Sequence, residues 1–290
     1  MSSAAVRRVC PLLEKETPTK VLVYASAPWV LRQCLETDFV FLENPPEYEA
    51  FKEDYAWEVT SKKESDARQT AEPMAYAVST GLKKFRSQVL KRNKIRALSH
   101  AYLKLPAQSQ GTGPLNLLDM GCGWGGLLLD VVSTLPPELA RRCAPFGIEL
   151  SKELAHISNE RLAAAGGGCV HDTALNGLTN FPENHFHLII MSSFLEHEIN
   201  PLPLLRRCHK HMQPGGQIIV KVPNYACINR TVRGERWCGF RWPDHVNYFT
   251  PRTLREMVES AGLKIARMNF FDRHPFSDNM YAVLEKPAAG

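Results

Sequence analysis

The residues with the clearest chemical potential lie in Asp119-Met-Gly121-Cys-Gly123-Trp-Gly125-Gly126, directly after the apolar run Leu115-Asn-Leu-Leu. Glycines placed where a strand gives way to a helix let the backbone turn tightly and approach a ligand, and the following helix offers unpaired N–H groups. That combination suits a nucleotide-like cofactor. Gly121, Gly123 and Gly126 also satisfy the dinucleotide spacing G-x-G-x-x-G, a weak signal taken alone. Asp119 separates the alternatives. A carboxylate beside the loop repels a pyrophosphate but attracts a sulfonium and an ammonium, so the signs favour S-adenosylmethionine over a nicotinamide dinucleotide.

Other acids fall where such a ligand needs them. Glu149, closing a second strand, can accept hydrogen bonds from two ribose hydroxyls, and Asp172, after a third strand, can accept from an adenine amino group. Cys122 within the loop, Leu150 after Glu149 and Ser192 at the end of a fourth strand complete the expected cofactor contacts, with Gly121, Gly123 and Gly125. If such a sulfonium donor passes its methyl group to a hydroxyl, a proton must also be removed, most often by histidine near neutral pH. Of ten histidines, His197 in Leu195-Glu-His197 lies beyond the fourth strand, and His245 lies in the aromatic stretch Trp237 to Phe249. Both are candidate bases, and Trp237, Trp242, Tyr248 and Phe249 could either stack on an acceptor or pack the insertion itself. His185, His187, His209 and His211 form spaced pairs without a third ligand and are expected at the surface.

Alternating elements must hold these residues. Strands are predicted over 115–119, 145–149, 169–172, 187–191 and 217–222. Helices are predicted over 125–133, 151–165, 202–211 and 250–260, and 263–270 and 280–284 read as a final antiparallel pair. This is an α/β, doubly wound, Rossmann-like sheet. The breaker cluster Pro106 to Pro114 marks a boundary, and 67–105 reads as helical. The organisation expected is a segment 1–60, a helical segment 61–110 and a cofactor domain 111–290.

The motifs resemble those of a class I S-adenosylmethionine-dependent methyltransferase over about Leu115 to Pro287. They arrive in order: Asp119-x-Gly-x-Gly-x-Gly125, Ser193-Phe-Leu-Glu-His197, Met212-Gln-Pro-Gly-Gly216, Val222-Pro-Asn224 and Phe249-Thr-Pro. Within that superfamily the chain is most similar to small-molecule O-methyltransferases of the ubiquinone-biosynthesis and natural-product type. The resemblance implies seven strands with the last antiparallel, S-adenosylmethionine as cofactor, and a small-molecule acceptor methylated on a hydroxyl. RNA or protein methylation, or a non-catalytic scaffold, are the alternatives. In the ubiquinone-pathway enzymes a glutamate three positions before the Glu-His pair joins it in holding a divalent metal. Here that position is Ser193, so no metal is expected.

The opening Val9-Cys10-Pro-Leu-Leu13 and the later Gln33-Cys34-Leu-Glu-Thr37 resemble two knuckles of a zinc ribbon. Leu13 and Thr37 replace the second cysteine of each, and two thiolates do not make a four-coordinate zinc site. Asp54 to Glu58 and the aromatics Tyr48, Phe51, Tyr55 and Trp57 suggest a lid over the cofactor.

Composition sets the outer limits. The 290 residues are 44% hydrophobic and 22% charged, which excludes wholesale disorder. The sequence has no apolar run long enough for a membrane span, and its N-terminus lacks a signal-peptide core. Eight cysteines without a C-x-x-C pair point to reduced thiols and a cytoplasmic setting. Eight acids and one lysine from Glu36 to Glu58 are followed by eleven basic and three acidic residues from Lys62 to Lys104. These blocks largely cancel, so the net charge of +5 is a poor argument for nucleic acid. Oligomeric state is left open.

Overall fold

A computed structural model describes residues 7–25, 27–46, 93–109 and 113–287, with side chains of the first helix described as far as Leu103. The proposed lid aromatics, most of the basic block and most of the 67–105 helix lie outside the described residues.

The chain opens with three short antiparallel strands, β1 (Thr19–Leu22), β2 (Leu31–Cys34) and β3 (Val40–Leu42), followed by helix α1 (Lys94–Ser109). The alternating part comprises β4 (Leu115–Met120), α2 (Gly126–Ser133), α3 (Pro137–Ala140), β5 (Cys143–Glu149), α4 (Lys152–Ala163), β6 (Gly168–His171) and α5 (Ala174–Gly177). It continues through β7 (Phe186–Ser192), α6 (Pro201–His211), β8 (Met212–Pro223) and α7 (Ile228–Arg233). The last elements are β9 (Asn247–Tyr248), α8 (Pro251–Ser260), β10 (Lys264–Arg267) and β11 (Asn279–Glu285).

Seven strands form one sheet in the order β10-β11-β8-β7-β4-β5-β6. β4 runs parallel to both β5 and β7, β8 runs parallel to β7, and β11 is antiparallel to β8. The expected doubly wound sheet with an antiparallel last strand is therefore present. Because β5 and β7 lie on opposite sides of β4, the order reverses there, and a crevice opens at the carboxyl ends of these strands. Successive side chains of a strand face opposite ways, which explains the unbroken apolar runs. Leu118, Ile189 and Val220 pack on one face with Leu205 of α6 and Met257 of α8. Leu117, Ile190 and Ile219 pack on the other with Ile95 of α1 and Val131 of α2.

Helix starts follow local chemistry. The Ser151 side chain accepts from the Leu154 amide at 3.3 Å, and Thr250 and Thr253 cap α8 reciprocally. Several boundaries differ from expectation, among them β8, which begins at Met212 and not at 217. Helix α1 runs through Pro106 to Ser109, so the break comes after the first proline of the cluster. Strand β10 stops at Arg267 because the Asp272 carboxylate accepts from the Arg267 Nε at 2.9 Å and from the Asn269 amide at 3.0 Å, turning the chain.

Beside the main sheet stands a second one, β1-β2-β3-β9. Its last strand comes from the far end of the chain, with Val40 opposite Tyr248 and Phe41 opposite Asn247. The two cysteine turns meet behind it. Cys10 and Cys34 are both buried, the Cys10 thiol lies 3.9 Å from the Thr37 hydroxyl, and Cys34 lies 3.4 Å from the Thr17 hydroxyl. Both thiols belong to the same buried cluster as Phe39 and Phe249.

Candidate active site

The carboxyl ends of β4, β5 and β7 enclose a cavity of about 380 Å³. Asp119, Gly121, Cys122, Gly123, Glu149, Leu150, Asp172, Ser192 and His197 all line it. The structure thus brings together nine of the residues singled out from the sequence. Two others stand back from it: Gly125 and His245 are not on its wall.

The loop that leaves β4 is held by the acid that ends β5. Glu149 accepts from the Gly123 amide at 2.9 Å and from the Ser151 amide at 2.9 Å. Gly123 has φ +54°, and a Cβ there would meet no atom within 4 Å, so its glycine serves backbone conformation and ligand approach. Gly125, at φ +73°, is different. A Cβ there would sit 2.9 Å from the Ser158 hydroxyl and 3.2 Å from Leu162 Cγ, so this glycine lets α4 pack against the loop.

Asp119 is only 3% exposed. Burial, then the neighbouring Glu149 carboxylate, then Cys169, hold its carboxyl well above the usual range. Two acids sharing one cavity repel each other, and a cation between them removes that cost. Asp172 accepts from the Thr173 amide at 2.7 Å at the third strand's end.

Beyond β7 the chain turns sharply at Ser193, a non-glycine residue at φ +56°. Its hydroxyl accepts from Lys221 Nζ at 2.9 Å. The turn delivers Phe194, His197 and Glu198 to the cavity, where they are joined by Asp244. Phe194, Glu198 and Asp244 were not anticipated, and only their positions in the fold reveal them.

His197 and His245 stand edge to face, with ring centroids 4.7 Å apart and planes at 84°. His197 Nδ1 donates to the Asp244 carbonyl at 2.9 Å, and His245 Nδ1 donates to the Gly239 carbonyl at 2.8 Å. A carbonyl oxygen carries no proton, so Nδ1 is the protonated nitrogen in each ring and Nε2 keeps its lone pair. Burial first, and the Arg241 charge second, push His197 down to about 4, and burial carries His245 well below the usual histidine range. Glu196, 1% exposed, is raised by burial to about 7. Its second carboxylate oxygen, Oε2, is buried without a hydrogen-bond partner.

The loop bearing His197 is tied to the one bearing His245. The Val246 and Asn247 amides donate to the Glu196 carbonyl at 2.8 and 3.0 Å, and the Asn247 side chain donates to the Leu195 and Glu198 carbonyls. Arg8 fastens this joint to the small sheet, donating to the carbonyls of Leu42, Val246 and Ile199 and to the Asn247 side chain.

Other expectations are corrected. Trp237, Trp242, Tyr248 and Phe249 do not reach the cavity wall. Trp237 is buried and donates to Asp278 at 2.8 Å, and Trp242 stacks on Phe240 at 5.1 Å, so these rings build the scaffold of the insertion. His187 and His211 are buried rather than at the surface: His187 Nδ1 accepts from the Asn116 amide, and His211 donates to the Pro182 carbonyl.

Comparison with known proteins agrees with this geometry. A family described as "Methyltransferase domain" matches residues 82–267. A ubiquinone biosynthesis O-methyltransferase of Cereibacter sphaeroides is 29% identical over 167 residues, covering 51% of this chain and 60% of that protein. Its counterpart in Ruegeria pomeroyi is 28% identical over 177 residues, covering 56% and 65%. The chain therefore spans less than two thirds of the length of these curated relatives. The crystal structure of a SAM-dependent methyltransferase from Archaeoglobus fulgidus is 17% identical with a TM-score of 0.43, covering 66% of this chain and 94% of that one. The family match extends over more than half of the 290 residues, and the chain belongs to the methyltransferase-domain family, of the class I, S-adenosylmethionine-dependent type.

Proposed function

We propose that the protein transfers a methyl group from S-adenosylmethionine to a hydroxyl of a small molecule. The observation that carries this reading is the pairing of buried Asp119 with Glu149 across one cavity, behind a glycine loop. A donor bearing a sulfonium and an ammonium offsets the repulsion between these carboxylates, whereas a dinucleotide pyrophosphate adds to it. When bound, S-adenosylmethionine supplies an electrophilic methyl group. The remaining work falls to the chain. Asp119 and Glu149 hold the cationic and ribose ends, Asp172 faces the base, and Cys122, Leu150 and Ser192 complete the wall with Gly121 and Gly123. Gly125 supports the loop from behind.

His197 and its neighbour His245 activate the acceptor. His197 is the one that reaches the cavity, from the side opposite Leu150 and Asp172 along the carboxyl edge. Fixing donor and acceptor in line accounts for a large part of the acceleration expected in a displacement of this kind.

A small-molecule acceptor is supported by the character of the ubiquinone O-methyltransferases to which the chain is similar. Segment 1–60 is proposed as a degenerate ribbon-like segment whose cysteine turns are held by packing, and 61–110 as a helical segment preceding the domain at 111–290. Among the described residues no helix is long and apolar enough to cross a membrane. Calorimetric titration with S-adenosylhomocysteine and with NAD tests the donor, and binding of NAD alone overturns the reading. Screening hydroxylated small molecules and total RNA with a labelled methyl donor tests the acceptor. Label appearing in RNA, and none in small molecules, moves the assignment to the macromolecular class.

A further inference from the structure

Glu196, His197 and His245 each offer one donor atom, and these atoms lie within 4.8 Å of one another. Three features make the group more than an accident of proximity. Both imidazoles are oriented by Nδ1 bonds to main-chain carbonyls, which leaves Nε2 as the lone-pair nitrogen. That is how metal-binding histidines are commonly held from behind. Glu196 Oε2 is buried with no hydrogen-bond partner, a costly arrangement that a cation relieves. The joint between the two loops, from the Val246 and Asn247 amides to the Glu196 carbonyl, keeps all three residues in register.

We infer that Glu196, His197 and His245 hold a first-row divalent cation at the acceptor end of the cavity. The donor set differs from the one implied by the ubiquinone-pathway resemblance. The position of the missing glutamate is Ser193, whose hydroxyl is engaged by Lys221, and the third donor comes instead from the insertion before β9. Two imidazoles and one carboxylate form a borderline set, suited to zinc, manganese, iron or cobalt and poorly matched to magnesium, which prefers oxygen donors in an octahedron. Metal–nitrogen bonds of about 2.0–2.1 Å set tetrahedral donors about 3.3 Å apart, so these must draw in from separations of up to 4.8 Å. Three protein donors leave coordination positions open, and His197 lies on the cavity wall. A cation there acidifies a hydroxyl that binds it. The imidazoles would then serve as ligands instead of bases, and the proton of a hydroxyl acidified in this way would pass to solvent. This role for the ion rests on the methyl-transfer reading, but binding of the ion does not.

The test uses tag-free, full-length protein, stripped with a chelator and then dialysed against zinc, manganese, magnesium or cobalt. Retention of about one equivalent of zinc or manganese by mass spectrometry is expected, with magnesium not retained. Cobalt is expected to give visible ligand-field absorption that depends on His245. His245→Ala and Glu196→Gln should each weaken retention by about 100-fold, with the circular dichroism of the parent as the control for folding. Failure of the parent to retain any of these ions, together with a featureless cobalt spectrum, overturns the inference whether or not the variants fold. So does a folded His245→Ala protein that binds as tightly as the parent. S-adenosylhomocysteine titration of the stripped protein separates the two readings: binding there with no metal retention sinks the ion and leaves the methyltransferase assignment standing.

Discussion

The main-chain amide of Gly123 donates to the Glu149 carboxylate at 2.9 Å, joining the loop after β4 to the end of β5. Glu149 therefore shapes the loop as well as facing the cavity. Hydrogen bonds to a charged group contribute about 1.5–3 kcal/mol each. Glu149→Ala should weaken S-adenosylhomocysteine binding at least about 10-fold while leaving circular dichroism unchanged. Glu149→Gln, which keeps an acceptor oxygen without the charge, should fall between. Calorimetry checks both, and unchanged affinity in Glu149→Ala would show that the carboxylate has no part in binding.

Two loop glycines should fail differently. Gly125→Ala adds a methyl group 2.9 Å from the Ser158 hydroxyl at a left-handed position, combining backbone strain with overpacking against α4. It should cost roughly 3 kcal/mol and lower Tm clearly. Gly123→Ala meets no neighbour and should cost only about 1 kcal/mol of stability, yet it places its methyl beside the cavity and should weaken cofactor binding more than it lowers Tm. Thermal melts and calorimetry on the two variants separate these effects.

Asp272 ties α1 to the last strand pair, accepting from Lys94 Nζ at 2.9 Å and from Arg267 Nε at 2.9 Å. Burial alone pushes its carboxyl up, but the bonds from Arg267, Lys94 and the Asn269 amide outweigh burial and hold it below the ordinary value. A carboxyl lowered in the folded state stabilises above its unfolded value of about 3.9 and loses that contribution as pH falls through the folded value. Asp272→Asn should therefore cost about 3 kcal/mol at pH 7. The gap from the parent should narrow as the pH is lowered from 5 towards 3. Urea unfolding across that range measures it, and a gap independent of pH would show that the charge is immaterial.

Arg8 donates to three carbonyls and one side-chain amide oxygen at the joint that carries His245. Arg8→Ala leaves several buried acceptors unmet and should cost about 3 kcal/mol. Arg8→Lys, a point charge without the planar fork, should recover only part of that. Because this joint positions the loop bearing His197 and not the Glu149–Gly123 contact, S-adenosylhomocysteine affinity should hold within about 3-fold in both variants, while methyl transfer falls. A parallel loss of cofactor affinity would argue against that separation.

Much of the main sheet was legible because its central strands are short apolar runs buried on both faces, bounded by glycine, proline or an acid. Leu117 and Leu118, or Ile189 and Ile190, show the pattern directly: neighbours serve opposite layers, so both must be apolar. The cofactor side of the site was equally legible, since Asp119, Glu149 and Asp172 end consecutive strands and need no long-range information to be placed. The acceptor side was not. β9 is two residues long and owes its existence to Val40 and Phe41, some 200 positions earlier, which no local periodicity encodes. Asp244 and Glu198 have ordinary loop sequences around them, and only the joint at the Glu196 carbonyl brings them to the cavity. The aromatics of 237–249 admitted two readings because side-chain type says nothing about direction: Trp237 and Tyr248 pack with Leu31 and Val40 of the small sheet, and Phe249 joins the main core.

The pairing of β3 with β9 also has a temporal side. Residues 40–42 leave the ribosome early, but the strand that covers their edge is made roughly 200 residues later. At about 5–20 residues per second the nascent chain waits on the order of 10–40 s with that edge open. Val40, Phe41 and Leu42 are fully apolar and present unpaired backbone groups during the interval. The small sheet is thus first in the chain and among the last parts to close, and synthesis of the insertion carrying His245 sets the moment at which it does.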